Sequence, residues 1–203
     1  MAPSNEPRLV KVAEAALPSE YGEYRIHGFE GVFKDRNEEA VALVLGDLSG
    51  APPLVRVHSQ CLTGDVFHSL RCDCRAQFEL AMEMFAAEGR GLMIYEAQEG
   101  RGIGLLNKLR AYELQDRGAD TVEANELLGF EADLRNFALP TAILKHFGLK
   151  RIRLLSNNPE KVESVESAGI EVVERVPALV EALASRHSYL ETKKNKLGHL
   201  LEN

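Results

Sequence analysis

Positive charge is in short supply. Lys and Arg number 24 against 31 Asp and Glu, a formal net charge of −7, so no broad basic field exists to grip nucleic acid non-specifically and any anion site must be local. Long apolar runs are missing as well. No stretch approaches the ~20 residues a membrane helix needs, and the opening MAPSNEPRLVKVAEA contains no signal-peptide apolar region. A cytoplasmic protein with neither nucleic-acid nor membrane partners is expected. Repeats of fixed period and low-complexity blocks are absent, which excludes a solenoid or a compositional linker. Cysteine is scarce: the three present cannot all pair within one chain, and all lie between Cys61 and Cys74. That clustering points to metal or thiolate chemistry rather than a disulfide framework.

What is present suits a single globular domain over residues 1–203, with 45% hydrophobic and 27% charged residues. The ends, about 1–7 and 180–203, are expected to be loose. A short strand is expected near Leu9–Val12. The β-formers of Tyr24–Phe33 and Val41–Asp47 suit a hairpin across the charged stretch Lys34–Ala40, and Leu54–His58 reads as a further strand. From Ala76 the period changes: Phe78, Ala81, Met82 and Phe85 follow helical spacing, stopped by Gly89 and Gly91. Thereafter strands (Leu92–Tyr95, Arg151–Leu155, Ile170–Val173) alternate with helices (Gly104–Gln115, Ala138–Phe147, Pro159–Ala168). The expected class is α/β, a mixed sheet with an antiparallel N-terminal part and flanking helices.

Cys61, Cys72 and Cys74 form a C-x10-C-x-C pattern. Three thiolates suit zinc, and three rather than four protein ligands leave a position for water, as in catalytic sites. Two other readings stand beside this one. The thiols can be small buried core residues, or His58 or His68 can complete a four-ligand structural zinc. Glu99-Gly100-Arg101-Gly102-Ile103-Gly104 follows a strand and opens a helix, where backbone amides favour phosphate, although for the loop alone glycines for a tight turn are the better explanation. Its glycine spacing is not that of a dinucleotide fingerprint.

The segments Arg56-Val57-His58-Ser59-Gln60-Cys61-Leu62-Thr63-Gly64-Asp65 and Ser69-Leu70-Arg71-Cys72-Asp73-Cys74 closely resemble GTP cyclohydrolase II of riboflavin biosynthesis. Further blocks follow in the family's order: Glu99 to Lys108, Asp120 to Asn125, Leu128-Gly129-Phe130 and Ser156-Asn157-Asn158-Pro159. The resemblance implies hydrolysis of GTP, with C8 of guanine leaving as formate, pyrophosphate released and a diaminopyrimidinone ribosylamino phosphate formed. It implies one zinc per subunit on Cys61, Cys72 and Cys74, Mg2+ on the GTP phosphates, and a homodimer. Arg135 corresponds to the family's nucleophile toward the α-phosphorus and Asp133 to its proton acceptor. Because a guanidinium has no lone pair until it loses a proton, a role for Arg135 in stabilising phosphate charge stays open. Tyr112 corresponds to a tyrosine near the zinc. Arg56, Val57, His58, Ser59, Gln60, Gln77, Glu99, Gly100, Arg101, Thr121, Ser156 and Lys161 correspond to GTP contacts.

The chain departs from the family at several points. Gln60 stands where Glu is more frequent, Ser156 where Thr is usual, and Arg75 where Gly is common, which adds charge beside the expected metal. Glu181–Arg186 favours helix where relatives have a Gly- and Asn-rich stretch, whereas Tyr189–Lys193 matches again. A fused dihydroxybutanone phosphate synthase, found in some relatives, is not expected.

Overall fold

The computed structural model describes residues 8–33, 36–180 and 198–200. Residues 1–7, Glu181–Arg186 and Tyr189–Lys193 lie outside the described residues, as does most of 180–203. Seven strands form one mixed sheet in the order β1-β2-β3-β5-β4-β6-β7. The first three, β1 (Arg8–Ser19), β2 (Gly22–Phe33) and β3 (Arg36–Leu45), run antiparallel, and β3 pairs antiparallel with β5 (Gly91–Glu96). From there β4 (Leu54–Ser59), β6 (Arg151–Leu155) and β7 (Glu171–Val176) continue the sheet in parallel. The α/β class and its antiparallel N-terminal part match the expectation.

Two strands are longer than their sequence suggests. β1 spans 12 residues rather than Leu9–Val12, and nearly all of it is exposed. Ala13, Ala15 and Ala16 are weak strand formers, so pairing with β2 rather than burial defines this edge. β3 begins at Arg36, so most of the charged stretch expected to connect the hairpin is itself strand. Ala40 turns inward while Asn37 and Glu39 face solvent, an alternation that charged residues tolerate.

Both faces of the parallel half are covered. Helix α2 (Cys74–Glu88, after the short α1, Leu62–Asp65) lays Ala81, Met82 and Phe85 against Leu54, Met93 and Leu155. On the other face α5 (Ala138–His146) packs Leu139, Ile143 and Leu144 against Val55, Ile94 and Leu154. Burial on both faces explains the near-continuous apolar runs of β4 and β5. The chain leaves β4 toward β5 on one side and returns past β4 to reach β6 on the other. Loops after the carboxyl ends of β4, β5 and β6 therefore converge at a topological switch point, where ligand crevices form in such sheets.

Two histidines are buried. His27, 7% exposed, lies among Phe29 and Phe147, and His58, 2% exposed, stacks on Tyr95. Burial holds both imidazoles below their usual range. An imidazole depressed in the folded state contributes stability that is present above its unfolded value of about 6.5 and lost as pH falls through the folded value. The unfolding temperature is therefore expected to fall as pH drops below about 6.5. His27→Phe is expected to make that fall shallower in a calorimetric pH series; an unchanged slope would count against the assignment.

Candidate active site

Cys61 follows the end of β4, where Gln60 N–H donates to Glu96 O at 2.9 Å. The Asp65 carboxylate then folds α1 back: Oδ2 accepts from Cys61 N–H at 3.0 Å and from Tyr95 Oη at 2.8 Å, and Oδ1 lies 3.2 Å from His58 Nε2. Cys72 and Cys74 arrive at the start of α2. The three sulfurs lie within 4.8 Å of one another, with Cys61 and Cys72 Sγ 3.6 Å apart. Tetrahedral zinc with Zn–S bonds of about 2.3 Å requires sulfur separations of about 3.8 Å, so the donor set fits the ion. Hydrogen bonds from Cys72 and Cys74 hold the Cys61 thiol far below its usual range, and the same bonds push Cys72 up to about 11 and Cys74 well above its ordinary value. Such crowded sulfurs compete for protons, a competition that a thiophilic divalent ion relieves by taking all three as thiolates.

The bland reading of three core thiols is disfavoured by this convergence, and neither histidine supplies a fourth ligand. Among the described residues the cluster contains the three cysteines alone. Gly64 makes room for it: an added Cβ would come within 2.8 Å of Cys72 Sγ and 3.1 Å of Cys61 Sγ. Gly64→Ala is thus expected to lower zinc affinity about tenfold or more in a chelator competition while the circular dichroism spectrum is retained. Wild-type affinity would show that this close approach is unimportant.

Beside the sulfurs, Tyr112 on α3 (Leu105–Asp116) places Oη 3.1 Å from Thr63 Oγ1, and burial raises its phenol above the usual range. Lys108, one turn earlier, meets Cys61, Thr63 and Glu99. Burial alone would lower its ammonium, but Cys61 and Glu99 carry it above the ordinary lysine value. Between β5 and α3 the chain makes a tight turn at Glu99–Gly102, with Gly100 and Arg101 both left-handed (φ 62° and 59°). The Glu99 carboxylate is turned to protein groups, accepting from Leu62 N–H at 2.6 Å, Gly100 N–H at 3.0 Å and Lys108 Nζ at 2.8 Å. Arg101, by contrast, has Nη1 and Nη2 buried without a hydrogen-bond partner, an arrangement that an incoming anion would satisfy.

The segment carrying Asp133 and Arg135 docks on this turn. Leu134 N–H donates to Arg101 O at 3.0 Å, and Gly102 (φ 89°) leaves room for the Leu134 backbone. Gln98 grips the next residue with both side-chain atoms, donating to Asn136 O at 2.5 Å and accepting from Asn136 N–H at 3.0 Å. Arg135 donates through Nε and Nη2 to the Asp133 carboxylate and through Nη1 to Ser59 Oγ at 3.3 Å. Lys161, on α6 (Pro159–Ser167), donates to Val57 O at 2.8 Å and lies 3.4 Å from Ser59 Oγ. Burial brings the Lys161 ammonium down to about 7 against the pull of Glu96. The buried Arg56 is held by Leu155 O and Gln77, and burial lowers it to about 10.

These groups surround one open pocket. Its walls include Arg56, His58, Ser59, Gln60, Gln77, Glu99, Gly100, Arg101, Thr121, Ser156 and Lys161, together with the three cysteines, Tyr112 and Arg135. Val57 and Asp133 do not line it: Val57 enters through its carbonyl, and Asp133 through Arg135. Arg75 also lies off the wall. Its guanidinium bonds Asp65 O at 2.9 Å and Glu79 at 2.7 Å, so its charge is not directed at the sulfurs. Lys108, Gln98, Asn125, Asn157 and His199 line the pocket without having been singled out from sequence.

The profile of the GTP cyclohydrolase II family matches residues 10–177. Over 196 residues the chain is 54% identical to a GTP cyclohydrolase-2 of Haemophilus influenzae (strain PittGG), covering 96% of this chain and 90% of that one. It is 55% identical over 191 residues to a GTP cyclohydrolase-2 of Hahella chejuensis, covering 94% and 91%. A crystal structure of a two-domain 3,4-dihydroxy-2-butanone 4-phosphate synthase from A. baumannii superposes with a TM-score of 0.50 at 16% identity. That likeness covers 88% of this chain and 42% of the other, and speaks to the fold alone.

Proposed function

The chain belongs to the GTP cyclohydrolase II family and is an enzyme with that activity in riboflavin biosynthesis; from this premise we propose that the switch-point pocket is where GTP is opened. The observation that carries the proposal is the convergence of three cysteine sulfurs on the wall of the pocket that also holds Arg135, Arg101 and Lys161. One end offers ligands for a thiophilic metal, the other fixed positive charge for phosphates. Cys61, Cys72 and Cys74 would hold one zinc per subunit, which supplies Lewis acidity for hydrolysis at C8 of guanine.

The chain's own groups divide the remaining work. Tyr112, directed by Thr63, donates a proton or hydrogen bond to the reacting ring atoms. Arg101 and Lys161 receive the phosphates, with Mg2+ entering on the triphosphate. Gln60, Gln77, Thr121 and Ser156 supply neutral hydrogen-bonding groups for the base and ribose. Glu99 serves the site by holding the start of α1 and the Lys108 ammonium.

Arg135 and Asp133 act as a unit at the α-phosphate. Asp133 orients the guanidinium and leaves Nη1 on the side of Ser59. Burial works against ionisation of Asp133, yet the hydrogen bonds and charge of Arg135 keep its carboxyl below the usual range. A carboxylate so stabilised is a weak proton acceptor, which favours Arg135 as fixed positive charge over Arg135 as covalent nucleophile. A guanylyl adduct on Arg135, sought by mass spectrometry after rapid quenching with GTP, would restore the covalent role.

The working protein is read as a cytoplasmic homodimer. Among the described residues no helix is long and apolar enough to cross a membrane. Incubation with GTP, Mg2+ and zinc is expected to release formate and pyrophosphate in equal amounts. A product retaining the formyl group would identify a diverged reaction, and GTP binding without turnover a non-catalytic protein.

A further inference from the structure

One lysine ties the walls of the sulfur cluster together. Lys108 Nζ lies 2.8 Å from Glu99 Oε1, 2.9 Å from Thr63 Oγ1 and 3.1 Å from Cys61 Sγ. An ammonium has three hydrogens, so its donor complement is filled by three groups from two segments, Cys61 and Thr63 at the start of α1 and Glu99 in the turn after β5. The side chain is only 12% exposed, which leaves little water to weaken these bonds.

Three thiolates around a divalent ion leave one net negative charge in a largely buried place, and they also make the ion a feeble Lewis acid. An ammonium that donates to one sulfur offsets the charge and draws electron density from that ligand, which leaves the ion more acidic. The same ammonium fixes Thr63 Oγ1, and Thr63 in turn meets Tyr112 Oη at 3.1 Å.

We infer that Lys108 is the positioning residue of the metal centre: it sets the donor strength of Cys61 and, through Thr63, the direction of the Tyr112 hydroxyl. The inference rests on the thiolate-metal reading above. It differs from a purely structural Lys108–Glu99 ion pair in what the metal ligand itself would feel.

Full-length Lys108→Gln and Lys108→Arg, loaded with zinc or with Co2+, separate the two. Lys108→Gln is expected to lower zinc affinity about 10- to 100-fold in a chelator competition. It should also shift the thiolate-to-cobalt absorption band to longer wavelength, speed alkylation of Cys61 by iodoacetamide, and reduce kcat with KM for GTP little changed. Lys108→Arg, which keeps a charged donor, should move the band and kcat part of the way back toward wild type and so exclude a folding defect. Wild-type zinc affinity, band position and alkylation rate in Lys108→Gln would overturn the inference, whatever happened to activity. Failure of the wild-type protein itself to bind zinc or cobalt through sulfur would instead overturn the metal reading, and this inference with it.

Discussion

Cys72→Ser is expected to abolish zinc binding and turnover while leaving the α/β fold in place. Serine keeps the small volume of a side chain that is 5% exposed, so the packing at the start of α2 survives. What it removes is a soft, readily ionised ligand, since a hydroxyl at neutral pH is neither soft nor anionic. Loss of several kcal/mol of Lewis-acid stabilisation corresponds to about a thousandfold or more in rate. Metal content by mass spectrometry, formate release and circular dichroism together check it. A folded mutant that retained zinc and activity would contradict the three-thiolate assignment.

Arg135→Lys is expected to lower kcat by about 10²- to 10³-fold, the usual cost of removing a preorganised donor from developing charge. Lysine keeps the positive charge but loses the planar fork. It cannot donate to Asp133 through two nitrogens while directing a third toward Ser59, as Arg135 does. The charge alone still attracts phosphate, so KM for GTP should change much less than kcat. Steady-state kinetics on pyrophosphate release reads both parameters. Near-normal kcat would demote Arg135 to a general anion contact, and a large rise in KM at constant kcat would make it a binding group only.

The site was legible wherever its chemistry depends on residue type within a short stretch. Cys61, Cys72 and Cys74 are rare residues close in sequence, and thiols have few reasons to cluster. The start of α6 was equally local: Pro159 suits a first helical turn as read from sequence, and in the structure Asn158 caps it by accepting from Glu160 N–H. Helix α4 (Thr121–Leu127) was missed although its signal was there, since Asp120 and Glu123 form a reciprocal capping box at its start. Illegible features were those that depend on distant segments meeting. Lys108 sits 47 residues from Cys61, and nothing in either segment announces the contact. Gln98 holds Asn136 through backbone atoms that carry no sequence signature. The resemblance implies Glu99 as a GTP contact, and nothing in its segment announces that its carboxylate accepts from Leu62 N–H, Gly100 N–H and Lys108 Nζ.

Zinc K-edge X-ray absorption on the full-length protein tests the central claim most directly. The account predicts three sulfur scatterers at about 2.3 Å and one oxygen or nitrogen scatterer that changes when a GTP analogue is added. Four protein donors with no response to the nucleotide, or fewer than three sulfurs around the ion, would contradict it.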